Sequence, residues 1–155
     1  MTALGYVREL RRLIGSRPVN LVGACALVVN PAGQVLLQRR TDTGGWGTPG
    51  GLAELGEALE DTLRRELWEE ARIVPLDARL LTVVSGPETF VRLPNGNEFY
   101  QVTAVYVVRA WEGTPSPDGD EGMELRFFPL DALPAPLGPG DTRALAVWRT
   151  HLEGP

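Results

Sequence analysis

Cysteine and histidine are almost absent from this chain: Cys25 and His151 are the only ones in 155 residues. A single cysteine excludes an internal disulfide and any cysteine-cluster metal site. Cys25 lies in the apolar stretch LVGACALVV and reads as a buried, inert thiol. His151 sits near the far end of the chain and reads as a solvated surface residue. A serine or cysteine triad that borrows a histidine base therefore has no support. Long apolar runs are lacking as well. None reaches the roughly 18 residues that a membrane-spanning helix needs. The opening MTALGYVRELRRLIG mixes charged and apolar positions closely. It lacks the continuous apolar segment of a secretory signal, so a cytoplasmic location and no membrane partner are expected. Positive charge is in deficit, the formal net charge being −5. That argues against nucleic-acid binding, which uses a basic stripe. It leaves a small anionic ligand open, because metal ions and a few arginines reverse the sign inside one pocket.

What is present is a domain's worth of core. Hydrophobic residues make up 43% of the chain and charged residues 23%, the balance of a globular protein, and residues 1–155 are read as one domain. Residues 1–17 hold a short amphipathic helix, with Leu4, Val7, Leu10 and Leu13 or Ile14 at helical spacing. NLVGACALVVN and QVLLQRR read as two strands of a hairpin about the turn NPAG. TDTGGWGTPGG reads as a glycine-rich loop leading into a helix. ARLLTVVSG is a further strand, and FVRLPNGNEFYQVTAVYVVRA is a hairpin with Asn95-Gly96 supplying positive φ angles at its turn. The second arm of that hairpin is apolar on both faces, so it is expected at the centre of a covered sheet. MELRFFPL is a last short strand. A closing helix is expected over 141–153, capped by Asp141 or Thr142. Strands and helices interleave, which predicts an α/β layered fold.

The helix after the glycine-rich loop breaks the usual amphipathic pattern. At 100° per residue, Leu59, Leu63 and Leu67 form a stripe that advances about 40° per step. Glu66 and Glu70 project inside that stripe, and Glu69 lies at its edge. Asp61, Arg64 and Trp68 fall on the opposite side. A surface helix ordinarily separates its leucines from its glutamates. One reading is a solvated acidic helix, with like charges four apart costing about 0.2–0.5 kcal/mol. The other is an oxygen-rich site for a hard divalent cation, Mg²⁺ first and Mn²⁺ second. Burying even one unpaired carboxylate costs several kcal/mol, so the shared face favours the cation.

The spacing resembles a known signature. Gly51, then Glu57, then Arg65-Glu66-Leu67-Trp68-Glu69-Glu70-Ala71-Arg72-Ile73 is similar to the box of the Nudix hydrolases: glycine, five residues, glutamate, seven residues, then Arg-Glu-aliphatic-x-Glu-Glu-x-Gly-aliphatic. The box spans 51–73, and the flanking WGTPGG and LRFFPLDALP fit the same family. One position departs, Arg72 standing where the family has glycine. Either Arg72 takes a positive φ, at a cost of roughly 1 kcal/mol, or the helix runs on through Ala71 and Arg72, both good helix formers. Activity is expected to survive that departure with some loss of stability.

The resemblance implies a Nudix fold, an α/β/α sandwich around a mixed β-sheet, here with an extra N-terminal helix. It implies a Mg²⁺-dependent hydrolase, with Mn²⁺ as substitute, that cleaves the diphosphate of a nucleoside diphosphate linked to X. Glu66, Glu69 and Glu70 then correspond to metal ligands, joined by a carbonyl at Gly50 or Gly51, with Glu57 as an outer ligand or partner. Arg65 orients the glutamates. The base varies across the family between a box glutamate such as Glu66 or Glu69 and one on a distant loop; Glu124 is favoured here, with Glu121 beside it. Arg39 and Arg40 resemble substrate-contacting arginines, and strand alternation sends only one of them into the pocket, for which Arg40 is preferred. Phe90, Tyr100 and Tyr106 are available to stack on a base, although core packing is the commoner role. Pro87 is similar to a proline that some ADP-ribose-cleaving members carry nearby. ADP-ribose and other nucleotide sugars, nucleoside triphosphates and dinucleoside polyphosphates all remain substrates to consider. A homodimer is left open by analogy with the family. The alternatives are a catalytically silent Nudix-fold protein that binds nucleotides and, more remotely, a generic acidic interaction domain.

Overall fold

The computed structural model describes residues 3–119 and 122–154. The amphipathic N-terminal segment forms helix α1, Ala3–Ile14, closed by Gly15 at φ 72°. Ten strands follow in chain order among the described residues, interrupted by one α-helix and followed by another. They are β1 (Val19–Val28), β2 (Val35–Arg40), β3 (Trp46–Gly47), β4 (Gly50–Leu52), then helix α2 (Leu59–Ala71), β5 (Val74–Pro75) and β6 (Arg79–Val84). A 3₁₀ turn at Pro87–Thr89 leads to β7 (Phe90–Arg92), β8 (Glu98–Val108), β9 (Trp111–Glu112), β10 (Gly122–Phe128) and helix α3, Pro139–Glu153.

The main sheet has the order β4-β1-β8-β6, with β7 also paired to β8. β1 and β8 run parallel over ten paired residues, from Val19↔Phe99 to Val28↔Val108, and the other pairings are antiparallel, so the sheet is mixed. β8 is central, as its two apolar faces require. A second sheet has the order β10-β2-β3. Residues alternate between two cores. Ala24, Ala26 and Val28 of β1, with Leu36 of β2, pack on Leu63, Leu67 and Ala71 of α2. Cys25, Leu27 and Val29, with Val35 and Leu37, pack on Ala144, Leu145 and Trp148 of α3. The result is an α/β/α sandwich.

Four local expectations are corrected. β1 and β2 are joined by a turn, with Asn30 N–H donating to Gln34 O at 3.0 Å, but they share only the bridge Val29↔Val35. A strand has two edges, and those of β1 are taken by β8 and β4; β2 therefore leaves to pair with β10. The glycine-rich segment is not a plain loop, because it contains β3 and β4. Helix α3 begins at Pro139 with Gly138 as N-cap and no side-chain cap. Thr142 Oγ1 instead donates to Gly138 O at 3.0 Å, and Asp141 turns toward Thr48. In the β7–β8 hairpin only Gly96 has positive φ, not Asn95; Leu93 O accepts from Gly96 N–H at 2.8 Å.

Arg72 ends α2 in the left-handed conformation, φ 59° and ψ 34°, and is the one non-glycine residue with positive φ among those described. Arg72 N–H donates to Trp68 O at 3.1 Å and Ile73 N–H to Leu67 O at 3.4 Å. This is the left-handed C-cap closed by a bond from its own N–H to the carbonyl four residues back, with Leu67 and Ile73 in one core cluster. The guanidinium lies over the Trp68 ring, 5.5 Å from its centroid, a contact worth about 0.5–1 kcal/mol. It offsets the cost of an arginine where glycine is at home.

Candidate active site

Helix α2 carries the carboxylates on the face that the spacing predicted. Leu63 and Leu67 are buried, and so are Glu66 and Glu70, at 6% and 1% exposed. Asp61, Arg64 and Trp68 face solvent. Glu69, at the edge of the stripe, has a side chain 39% exposed. Each carboxylate has a partner. Glu70 Oε2 accepts from the Gly50 N–H at 2.8 Å, and its Oε1 accepts from Gln38 Nε2 at 2.7 Å. Glu66 Oε1 accepts from Arg65 Nη1 at 2.8 Å. The same nitrogen lies 3.5 Å from Glu69.

Arg65 is the hub. It binds Glu57 in a two-pronged pair, Nε to Oε2 at 2.9 Å and Nη2 to Oε1 at 2.8 Å. Nη2 also reaches Leu52 O at 3.1 Å, tying β4 to α2. Glu57 further accepts from Glu54 N–H at 3.1 Å and Thr62 Oγ1 at 2.7 Å. These bonds, with the Arg65 guanidinium foremost, hold the Glu57 carboxyl down at about 2. A carboxylate with a depressed folded pKa stabilises the protein above its ordinary value of 4.5 and loses that contribution as pH falls through the folded value. Glu57→Gln is therefore expected to lower stability near pH 7 by on the order of 1–2 kcal/mol, discounted for solvent around the pair. The difference from wild type should close between about pH 5 and pH 2, as urea titrations over that range would show. A constant difference down to pH 2 contradicts the assignment.

The glycines of β4 exist for contact. A Cβ on Gly51 would lie 2.5 Å from the Glu66 carboxyl, and one on Gly50 would lie 2.3 Å from Ala24 O. Gly23, on the neighbouring strand, is as constrained: its Cβ would meet Gly51 O at 2.3 Å. The Gly51 carbonyl thus stands where a β1 side chain would otherwise be. Glu66, Glu69, Glu70, Gly50 and Gly51 all line a cavity of about 530 Å³, within the usual range for a small-ligand site.

Arg40 lines the cavity and pairs with Asp42 at 2.9 Å, which raises its pKa. Arg39 does not line it; its Nε reaches Gly44 O at 3.4 Å. Glu124 is also outside the lining. Its strand neighbour Leu125 packs on the α2 cluster, so alternation turns Glu124 the other way, where it meets Arg126. Glu121 lies outside the described residues. Phe90 and Tyr100 pack against each other, centroids 5.3 Å apart, and Tyr106 is in the core; none lines the cavity. Pro87 only opens the 3₁₀ turn. Cys25 is buried in the cavity floor, and burial pushes its thiol up to about 12, an inert group.

Four residues of the site carried no signal of their own. Gln38 is buried at 1% exposed and orients Glu70; its polar side chain in VLLQRR looked like an ordinary strand position. Asp141 accepts from Thr48 N–H at 3.1 Å and Thr48 Oγ1 at 2.7 Å, fixing the segment that delivers Gly50. Burial raises its carboxyl pKa. The same Asp141 resembled a cap in sequence. Gly23 sat in an unremarkable small-residue strand, and Arg11 belonged to a helix with no assigned role.

The donor set suits a hard divalent ion: carboxylate oxygens, two of them buried, beside a backbone carbonyl held clear by Gly23. Among the described residues no three acidic, cysteine or histidine side chains are gathered for one ion, because Glu66 and Glu70 face the partners named above. Gln38 Oε1 is buried with no partner and lies beside Gly122 of β10, outside the cavity lining.

Helix, glycine strand and carboxylate face together define a site of the Nudix type, and the sequence model of the NUDIX domain matches residues 19–148. The chain belongs to the Nudix hydrolase family, whose enzymes generally use a divalent metal. It is similar to a MutT-like protein of Streptomyces ambofaciens, 43% identical over 58 residues, which are 37% of this chain and 38% of that one. It is similar to an ADP-ribose pyrophosphatase of Methanocaldococcus jannaschii, 32% identical over 110 residues, 69% of this chain and 61% of that one. The chain thus spans less than two thirds of the length of these two relatives. Among solved structures it is similar to the MutT NUDIX hydrolase from Burkholderia pseudomallei, at 34% identity and a TM-score of 0.72, covering 83% of this chain and 97% of that one.

Proposed function

We propose that the protein is a Mg²⁺-dependent hydrolase, with Mn²⁺ as substitute, acting on the diphosphate of a nucleoside diphosphate linked to another group. The observation that carries this reading is the burial of Glu66 and Glu70 among leucines, on the wall of a cavity. Glu66, Glu69 and Glu70 with the Gly51 carbonyl would hold the ion, once the carboxylates turn from their present partners toward one another. The ion supplies charge neutralisation on the diphosphate and lowers the pKa of the attacking water. Arg65 holds Glu66 and, through Glu57, fixes the start of α2. Arg40 stands at the cavity wall as a cation for the phosphate oxygens. Of the carboxylates considered as base, Glu69 is best placed. It is half exposed, lines the cavity and is not enclosed, so it is able to take a proton from a water at phosphorus. Glu124 is turned toward Arg126, which supports Glu69 over it.

The test is product release from ADP-ribose, a nucleoside triphosphate and a dinucleoside polyphosphate, each with Mg²⁺, with Mn²⁺ and with chelator. Metal-dependent cleavage of at least one, lost in Glu69→Gln, is expected. Binding without turnover across the panel would instead establish the silent reading.

A further inference from the structure

The cavity extends past the carboxylates in two directions. Its floor is one face of the β1–β8 pair: Leu21 and Cys25 on β1, Phe99, Gln101, Thr103 and Val105 on β8. The six steps along the strand from Phe99 to Val105 cover about 20 Å. The Gly51 carbonyl stands over Gly23, midway between Leu21 and Cys25. The carboxylate site therefore lies along the trough and not at its end. Beyond it on one side are Cys25, Thr48, Val105 and Asp141. On the other side the wall is helix α1, through Val7 and Arg11. That helix precedes residue 19, where the match to the family's domain begins.

The α1 end is chemically specific. Arg11 is fixed by three backbone carbonyls: Nη1 donates to Gly15 O at 3.1 Å and Arg17 O at 2.7 Å, and Nη2 to Glu98 O at 2.6 Å. Its Nε is buried with no partner. Asn97 and Gln101 line the same end, and their amides make no side-chain hydrogen bond among those found between described residues. Leu21 and Phe99 provide the apolar floor between them. Two amides, each with donors and an acceptor, and the two guanidinium N–H groups left over from the three carbonyl bonds suit a ring bearing several hydroxyls. They do not suit a terminal phosphate, since Arg11 has most of its donors committed to carbonyls.

We infer that α1 completes a subsite, formed by Arg11, Asn97 and Gln101, for the hydroxyl-rich group X on the far side of the diphosphate. The substrate is then a diphosphate with organic groups at both ends, such as a nucleotide sugar, and not a nucleoside triphosphate. This rests on the hydrolase reading above and narrows its substrate class.

Gln101→Leu and Asn97→Leu test the subsite while leaving the Arg11 tether and the carboxylates untouched. The readouts are KM and kcat for ADP-ribose with Mg²⁺, and the inhibition constant of ADP, which has the nucleoside diphosphate but no X. Each variant should raise KM for ADP-ribose about tenfold, change kcat less than twofold and leave ADP inhibition within twofold of wild type. A parallel loss of ADP inhibition, or an unchanged KM, overturns the inference. If the wild-type protein cleaves a nucleoside triphosphate but not ADP-ribose, the subsite falls and the hydrolase reading stands. If it cleaves no diphosphate with any divalent ion, both fall.

Discussion

Glu70→Gln is expected to reduce metal-dependent hydrolysis by about two to three orders of magnitude, with the protein still folded. The ion's share in such reactions is several kcal/mol, and each 1.36 kcal/mol is a factor of ten in rate. Losing one charged ligand from a set of three removes much of it. The effect on the metal-free fold is smaller because two terms oppose. A glutamine amide cannot accept from both Gly50 N–H and Gln38 Nε2 as the carboxylate does, and a buried donor left unpaired costs about 1–3 kcal/mol. Against this, a neutral amide replaces a carboxylate that is 1% exposed and shares its face with Glu66, which relieves desolvation. The unfolding temperature without metal should therefore stay within a few degrees of wild type. Metal should raise that temperature in the wild-type protein, since an ion bound only to the folded state at a hundred times its Kd adds about 2.7 kcal/mol. In Glu70→Gln the rise should vanish. Calorimetric scans with and without Mg²⁺, run beside the rate measurements, check both halves. An equal metal-induced rise in the variant would remove Glu70 from the ligand set.

Gly23→Ala is expected to damage stability and rate together, through a single carbonyl. The added Cβ would sit 2.3 Å from Gly51 O and 3.2 Å from Leu52 Cα, and the obstruction is backbone, not a side-chain tip that moves aside. β4 must shift away from β1. Overpacking of this kind costs about 1–3 kcal/mol, which at this chain length lowers the unfolding temperature by roughly 2–12 °C. The same shift moves Gly51 O and the Gly50 N–H that holds Glu70. Because a displacement of about 1 Å at a reacting centre costs on the order of 10²-fold, kcat should fall by that amount even at temperatures where the variant is folded. Ala24→Gly on the adjacent residue serves as the control. Its side chain faces the α2 core, so it should lower stability without the loss in kcat per folded molecule. A Gly23→Ala protein with wild-type kcat would show that the carbonyl has no part in the reaction.

The helix carrying the carboxylates was legible in the sequence because its logic is local. Side chains three and four apart share a face whatever surrounds the helix, so Glu66 and Glu70 had to lie among Leu63 and Leu67. The central position of β8 was legible for a similar reason, since two apolar faces require cover on both. Pairing was not. β1 and β2 resembled a hairpin, yet the edges of β1 are occupied by β8, which follows about 70 residues later, and by β4. Periodicity along one strand carries no information about which neighbour takes its edge.

The chemistry divides the same way. By itself the sequence determined which side chains form the acidic face of α2; a hard cation among them was an expectation drawn from that shared face. Only the tertiary structure decided that Gln38 and Gly50 hold Glu70, that Gly23 clears space for a carbonyl, that Asp141 fastens Thr48 instead of capping its own helix, and that α1 closes one end of the trough. Each of these depends on backbone segments far apart in the chain meeting at hydrogen-bond or van der Waals distance, and such meetings follow from packing and not from spacing.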